Sequence, residues 1–247
     1  MIELKNISKT FIGIEKNTIL DDINLEIKDG EFVTVIGGNG AGKSTLFNVI
    51  NGNYPPTTGS IIIDGKDITR KSRHKRASHI ACVFQDPNTG VCPDLTVLEN
   101  LTLAYTRGKW RGLKFAMKKN NARLFKEKLA EFGLGLENML KKPASLLSGG
   151  QRQVITLLMA TMQRPKLLLL DEHTSALDPK IAKQVMDVTQ KLVTEQKITT
   201  VMISHNMADA IKFGDRLIML KNGKIELDIS GDDKQGLTPA ELMVKFE

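Results

Sequence analysis

The chain has 247 residues, of which 41% are hydrophobic and 26% charged, with a formal net charge of +7. No apolar run approaches the roughly 18 residues that span a bilayer, and the amino terminus lacks a signal-peptide pattern. These properties exclude a membrane-spanning helix and predict a cytosolic α/β protein with one large domain or two smaller ones. The positive charge has two possible explanations. It attracts an anionic partner, such as nucleic acid or a membrane surface, or it only keeps the protein soluble.

The first 36 residues predict β-strands. Apolar and polar residues alternate from Ile19 to Ile27, which is typical of a half-buried antiparallel strand. Asp29-Gly30 predicts a turn before a short apolar strand at 32–36. Phe11 lies in this opening sheet, where the ring is either part of the core or exposed for stacking on a ligand.

A glycine-rich loop follows that strand and precedes a predicted helix at 43–52. Its residues are Gly37, Gly38, Asn39, Gly40, Ala41, Gly42, Lys43, Ser44 and Thr45. The spacing Gly37-x4-Gly42-Lys43-Ser44 is that of a phosphate-binding loop. Glycines let backbone N–H groups converge on a phosphate at the helix N-terminus, Lys43 reaches the β- and γ-phosphates, and Ser44 can ligate Mg²⁺. The alternative is an ordinary glycine-rich turn.

The middle of the chain changes from strands to helices. The predicted features are a strand at 61–63, a basic cluster at 70–76 and a buried strand at 80–84 that ends in Gln85. Residues 86–150 have a helical pattern and predict a subdomain inserted into the α/β body. Residues 107–128 contain nine Lys or Arg and one Glu, which indicates a solvated helix face or one near anionic lipid.

The last hundred residues return to alternating helices and strands. The sequence Leu147-Ser148-Gly149-Gly150-Gln151 opens a helix through Met162, with Ser148 as its expected cap. Four leucines at 167–170 predict a strand buried on both faces that ends in Asp171-Glu172. The further predictions are a helix at 180–196, a strand at 199–203 before Ser204-His205, a hairpin at 216–227 and a helix at 238–245.

These motifs, in this order, resemble the ATP-binding cassette ATPases over nearly the whole chain. The matching motifs are the phosphate loop at 37–45, the glutamine loop at Gln85, the signature at 147–151, the Walker B strand at 167–172, the D-loop at Ser175-Ala176-Leu177-Asp178 and the switch histidine His205. The signature is the most specific of them. The resemblance implies a P-loop NTPase core with a mixed parallel sheet, built from 1–85 and 151–247 and including an amino-terminal antiparallel β subdomain. It implies that 86–150 form the helical subdomain of this single ATPase domain.

The resemblance also implies the role of each site residue. Glu172 is the expected general base, and His205 orients it and donates to the γ-phosphate. Asp171, Ser44 and Gln85 are the expected Mg²⁺ contacts, with Gln85 also near the attacking water. Phe11 is the expected aromatic platform for adenine. The cofactors implied are therefore ATP and Mg²⁺.

The signature motif has no role in its own nucleotide site, so the resemblance implies a homodimer or heterodimer of cassettes with ATP between them. Transmembrane permease subunits are expected to contact Gln85 and the tract 95–100. An extracytoplasmic substrate-binding protein is an indirect partner, and no nucleic acid is expected. The protein is expected on the cytoplasmic face of the membrane.

His173 is a departure, because the family usually has proline after the base. The spelling DEHTSALD resembles a smaller group of bacterial importer cassettes that work with binding proteins, which suggests amino acids as cargo. Two interpretations of His173 are open. It is a tolerated loop substitution, or its ring titrates near pH 6.5 and weakens Glu172 when protonated.

Three other functions are alternatives to transport by an importer. A split exporter would use the same cassette. A soluble cassette acting on DNA would carry a long coiled coil between Lys43 and Ser148, which are only about a hundred residues apart, and ribosome-associated members carry two cassettes. A small-molecule kinase would have neither the signature motif nor His205.

Overall fold

The computed structural model describes residues 1–13, 16–107 and 119–246. The chain divides into two compact units. The first unit comprises Met1–Cys82, Lys166–Glu172 and Val193–Glu247, and the second comprises Val83–Pro165 and His173–Leu192. The segment 86–150, predicted as a helical subdomain, lies inside the second unit. That unit also takes in residues 83–85, 151–165 and 173–192, which the sequence analysis placed in the α/β core.

The first unit contains a four-stranded sheet in the order β2-β1-β4-β5. Its strands are β1 (Ile2–Ile12), β2 (Lys16–Ile27), β4 (Thr58–Ile63) and β5 (Lys66–Asp67). All its pairings are antiparallel, and Leu4 lies opposite both Leu25 and Ile61. These apolar side chains are buried while their polar neighbours are not, as the alternation in the sequence predicts.

A second sheet has the order β10-β9-β3-β8-β7-β6. Its strands are β3 (Phe32–Gly37), β6 (Ile80–Val83), β7 (Leu167–Asp171), β8 (Thr200–Ile203), β9 (Arg216–Lys221) and β10 (Lys224–Ser230). Strands β7, β8, β3 and β9 are parallel neighbours, and β10 closes the edge as an antiparallel hairpin with β9. The four leucines of β7 are completely buried, which confirms the prediction of a strand covered on both faces.

The helices of the first unit are mostly short. They are α1 (Lys43–Asn51), α2 (Arg73–Arg76), α7 (Met207–Lys212), α8 (Gly231–Gln235) and α9 (Pro239–Phe246). Helix α1 ends at Gly52, which adopts a left-handed φ of 89°, as expected for a C-terminal glycine. Helices α2, α7 and α8 were not predicted from the sequence, and each is only about one to two turns long.

One member of the basic cluster 70–76 is buried. Arg76 is 1% exposed, and its guanidinium donates to the carbonyl oxygens of Val49 at 2.7 Å and Ile50 at 2.6 Å. It also donates to Thr69 and Lys71. These bonds satisfy carbonyl groups in the last turn of α1, so Arg76 stabilises the end of that helix rather than forming a solvated surface.

The second unit is helical in its described part. Its helices are α3 (Val97–Thr106), α4 (Lys119–Ala130), α5 (Gly149–Thr161) and α6 (Pro179–Gln196), with 3₁₀ turns at Leu136–Asn138 and Ala144–Leu146. Thr96 and Glu99 form a capping box at the start of α3. Much of the basic segment 107–128 lies outside the described residues, which omit 108–118. Within the described ranges no helix is both long and apolar enough to cross a membrane.

Candidate nucleotide-binding and hydrolysis site

The loop between β3 and α1 has the backbone that phosphate binding requires. Gly40 and Gly42 adopt left-handed φ angles of 80° and 103°, which favour glycine. A Cβ on Gly42 would lie 2.9 Å from the carbonyl oxygen of Ile19. Gly42 is the N-cap of α1, and no described side chain makes a capping hydrogen bond there. The helix N-terminus is thus left available to an anion.

Lys43 is held inside this loop. It is 6% exposed, and Nζ donates to the carbonyl oxygens of Gly37 at 2.7 Å and Gly38 at 3.0 Å. Burial lowers the pKa of Lys43, while the charges of Glu172 and Asp171 act in the opposite direction. An ammonium group partly removed from water attracts a phosphate oxygen more strongly than a solvated one does.

Two carboxylates lie at the carboxyl end of β7. Asp171 pairs with Ile203 of β8 across the parallel ladder. Burial raises the pKa of Asp171, as does Glu172, while His205 and Lys43 lower it. Glu172 has a left-handed φ of 47°, which is uncommon for a residue with a Cβ and is typical of functional sites. Strand β7 therefore ends at Asp171, and the backbone changes direction at Glu172, the expected general base.

Glu172 and His205 meet across two neighbouring strand ends. His205 lies two residues beyond β8, and its Nε2 is 2.5 Å from Glu172 Oε1. The Glu172 side chain is 13% exposed and that of His205 is 47% exposed. The Glu172 N–H donates to the Ile203 carbonyl at 3.1 Å, which fixes the backbone. An imidazole in this place can hold a carboxylate in one orientation.

The residues present fit a magnesium ion that is completed by substrate. Ser44 lies in the first turn of α1, and its side chain is exposed beside the loop. Among the described residues no three His, Cys, Asp or Glu side chains form a metal-binding group. Mg²⁺ commonly takes one or two carboxylates and completes its shell with water and phosphate oxygens. Ser44 and Asp171 suit that ligand set, and Gln85 lies exposed in the second unit.

The signature motif opens α5 in the second unit. Ser148 Oγ accepts from the Gln151 N–H at 3.3 Å, and Gln151 Oε1 accepts from the Ser148 N–H at 3.0 Å, so the predicted cap is confirmed as a capping box. Leu147 is buried while Ser148 is exposed. A Cβ on Gly150 would lie 2.1 Å from Ile181 Cγ2 of α6. Close helix packing is thus a reason for glycine that the sequence analysis missed.

The D-loop is the turn that leads into α6. Ser175 and Ala176 are exposed and Leu177 is half-buried. Asp178 Oδ1 accepts from the Ile181 N–H at 3.1 Å and so caps the first turn of α6.

The hypothesis that His173 titrates near pH 6.5 is wrong. The side chain is 1% exposed, and Nε2 lies 3.0 Å from Thr189 Oγ1, which itself donates to the Val185 carbonyl at 2.8 Å. Because the Thr189 hydroxyl donates its proton to the Val185 carbonyl, its oxygen can only accept from His173. The His173 proton is therefore assigned to Nε2. Burial lowers the pKa of His173 to about 4, so the ring is neutral at physiological pH.

Phe11 is not a core residue. It is 37% exposed near the end of β1 and contacts Tyr54 edge to face, with ring centroids 5.4 Å apart. Tyr54 was not predicted as a site residue, because an isolated tyrosine in a loop carries no sequence pattern. The role of Phe11 as an adenine platform stays a prediction.

Comparison with known proteins identifies the family. The family model described as ABC transporter matches residues 20–175, which is more than half of the chain. The chain belongs to the ABC transporter family. It is therefore an ABC ATPase, and the α/β fold and the ATPase activity implied by its motifs are confirmed.

Two curated relatives and one solved structure illustrate the match. The tyrosine transport ATP-binding protein of Clostridioides difficile is 45% identical over 250 residues, covering 100% of this ABC ATPase and 99% of the relative. The spermidine/putrescine import ATP-binding protein PotA of Haemophilus influenzae is 38% identical over 92% of this chain, which spans only 57% of that relative. A dimeric ATP-binding cassette in a post-hydrolysis state with ADP and Pi is 34% identical, with a TM-score of 0.75 over 93% of this chain and 98% of the other.

Proposed function

We propose that this ABC ATPase hydrolyses ATP at the loop of β3 and α1 and thereby powers a bacterial importer for amino acids. The observation that carries the catalytic part is the contact of 2.5 Å between Glu172 and His205. This contact lies at the carboxyl ends of β7 and β8. Burial lowers the pKa of Lys43, and the carboxylates of Glu172 and Asp171 at that edge act to raise it. A base, an orienting group and a phosphate-binding cation are the parts that phosphoryl transfer to water requires.

In this proposal each site residue has a defined task. The amides of the 37–45 loop and Lys43 bind the triphosphate. Ser44 and Asp171 would hold Mg²⁺, which would neutralise phosphate charge. Glu172 accepts the proton of the attacking water, and His205 keeps its carboxylate oriented and donates to the γ-phosphate. The exposed Phe11 ring stacks on adenine.

The signature motif is proposed to complete the site of a second cassette. Ser148, Gly149 and Gly150 begin α5, where a helix N-terminus favours negative charge. The capping box occupies the Ser148 N–H, which donates to Gln151 Oε1, and Ser148 Oγ accepts from the Gln151 N–H. The donors proposed for a partner's γ-phosphate are therefore the N–H groups of Gly149 and Gly150 and the hydroxyl proton of Ser148. The dimeric state of the solved relative with ADP and Pi supports this arrangement.

Amino acids are proposed as the cargo because the relative that covers the chain end to end is a tyrosine transport protein. The DEHTSALD motif at 171–178 also favours amino acids as the cargo. The importer would place this subunit on the cytoplasmic face of the membrane, bound to permease subunits, with an extracytoplasmic substrate-binding protein delivering the cargo.

Reconstituted transport tests the proposal. The subunit is assembled in proteoliposomes with the permease and binding protein that co-purify with it, and ATP-dependent uptake of labelled tyrosine and labelled spermidine is measured. We expect uptake of tyrosine that is lost in Glu172→Gln. Uptake of spermidine and of no amino acid would overturn the cargo assignment. ATPase activity stimulated by DNA or ribosomes without any permease would overturn the transport role, and ATP-driven efflux would indicate an exporter.

A further inference from the structure

Phe11 belongs to a small exposed cluster that packing does not explain. Its ring meets that of Tyr54 at 90° with centroids 5.4 Å apart. The Lys9 ammonium lies 4.9 Å from the Phe11 centroid and 6.0 Å from the Tyr54 centroid. Phe11 is 37% exposed and Tyr54 40%. Two exposed aromatic rings in contact indicate a binding surface.

Two segments of the first unit bring this cluster together. Lys9 and Phe11 both lie on β1, and the Lys9 ammonium approaches the Phe11 ring across a register shift between Lys9 and Thr10. Tyr54 follows α1, in a loop that Thr57 attaches to β1. The Thr57 N–H donates to the Ser8 carbonyl at 2.8 Å, and the Thr10 N–H donates to Thr57 Oγ1 at 2.9 Å.

The Lys9 ammonium makes a hydrogen bond in addition to its contact with the Phe11 ring. Its Nζ donates to the Pro55 carbonyl at 2.8 Å, one residue beyond Tyr54. The ammonium group is thus tied to the same loop that supplies the second ring. A long lysine side chain at a surface normally samples many rotamers, and here two contacts limit it.

The Lys9 ammonium lies over the Phe11 ring, 4.9 Å from its centroid. In the arrangement inferred here, a purine base stacks on the face of the ring opposite this ammonium. A cation draws electron density toward itself through the ring quadrupole, so the opposite face repels the π-cloud of a stacked base less. Because Tyr54 and Lys9 hold the ring before ligand arrives, less conformational entropy is lost on binding.

We propose that Lys9 and Tyr54 are positioning residues that brace the Phe11 ring as a platform for a purine base. This inference rests on the proposed role of Phe11 in adenine binding. It predicts that the brace acts only on ligands that carry a base, because the phosphate loop binds the polyphosphate independently of it.

Titration calorimetry with two probes, ATP and inorganic tripolyphosphate, tests the brace on the full chain. Tyr54→Ala is compared with Tyr54→Phe, which keeps the ring, and Lys9→Met with Lys9→Arg, which keeps the charge. We expect Tyr54→Ala and Lys9→Met to weaken ATP binding by about five- to tenfold, the scale of aromatic and cation contacts. Both control variants should bind ATP within about twofold of wild type, and tripolyphosphate affinity should be unchanged throughout.

Phe11→Ala separates failure of the brace from failure of the platform. If Phe11→Ala weakens ATP binding while Tyr54→Ala and Lys9→Met do not, the brace is refuted and the platform stands. If Phe11→Ala binds ATP like wild type, the platform itself is refuted, and the brace with it. Equal loss of ATP and tripolyphosphate in Tyr54→Ala would show a general structural defect and would also overturn the brace.

Discussion

Glu172 and His173 are adjacent in the chain but differ in environment. Glu172 has a left-handed backbone and a half-buried carboxylate beside His205. His173 is buried and bonded to Thr189. A backbone in a sparsely populated region persists only where its surroundings hold it. We infer that the buried ring helps to hold the chain just beyond the base, as a neutral group.

Burial of His173 predicts an effect of pH on stability. The unfolded state takes up a proton near pH 6.5, whereas the folded state takes it up only near pH 4. The free energy of unfolding should therefore fall as pH is lowered from about 6.5 to about 4, by roughly 3 kcal/mol in total from this group. Above about pH 7 the residue contributes no pH dependence.

The measurement is urea unfolding at a series of pH values in wild type and in His173→Asn, which cannot titrate. Other titrating groups are common to both proteins and cancel in the difference. The slope of unfolding free energy against pH between 4.5 and 6.5 should be smaller in the variant, by up to about 1.4 kcal/mol per pH unit. Equal slopes would mean that His173 titrates normally.

At the scale of elements, α5 and α6 pack so closely that Gly150 has no room for a side chain. Replacing a helical glycine by alanine normally stabilises a helix by about 1 kcal/mol. Here the added Cβ would lie 2.1 Å from Ile181 Cγ2, so we expect Gly150→Ala to destabilise the protein by about 1–3 kcal/mol instead. Chemical denaturation gives the sign directly.

Ile181→Ala supplies the matched control, because it removes the methyl group that the new Cβ would meet. The double variant should be more stable than the sum of the two single changes predicts. Stabilisation by Gly150→Ala alone would contradict the packing argument.

Helix α3 has an exposed apolar side chain that could contact the proposed permease. The tract 95–100 is the predicted contact, and in it Val97 and Asn100 are buried and Leu98 is half-buried. Leu103, further along the helix, is 47% exposed. Leu103→Asp should lower transport by at least about tenfold, the scale of a hot-spot residue. The ATPase activity and melting temperature of the isolated subunit should stay unchanged. Loss of both activities together would indicate misfolding.

The sequence predicted the elements whose patterns are local. The leucines of β7, the glycine that ends α1 and the cap at Ser148 each follow from residue type and spacing alone. Arg76, His173 and Gly150 depend on partners far away in sequence, so their burial was not predictable from the chain. The short helices α7 and α8 were missed because one or two turns give too few residues for a periodic signal.

At the scale of the whole molecule, the chain supplies two partial sites. The phosphate loop, the carboxylates and His205 belong to the first compact unit, and the signature motif belongs to the second. A second cassette would supply the signature that the first site lacks, so ATP would act as part of the dimer contact. Hydrolysis would then remove the γ-phosphate that both cassettes bind.

Glu172→Gln tests this account most directly, because it removes the base and keeps the size of the side chain. ATP affinity should be retained while hydrolysis falls by at least about 100-fold, within the range of a general base. Size-exclusion chromatography with light scattering should then find the variant as a dimer in ATP and a monomer without nucleotide. A variant that stays monomeric in ATP and hydrolyses at the wild-type rate would contradict the account.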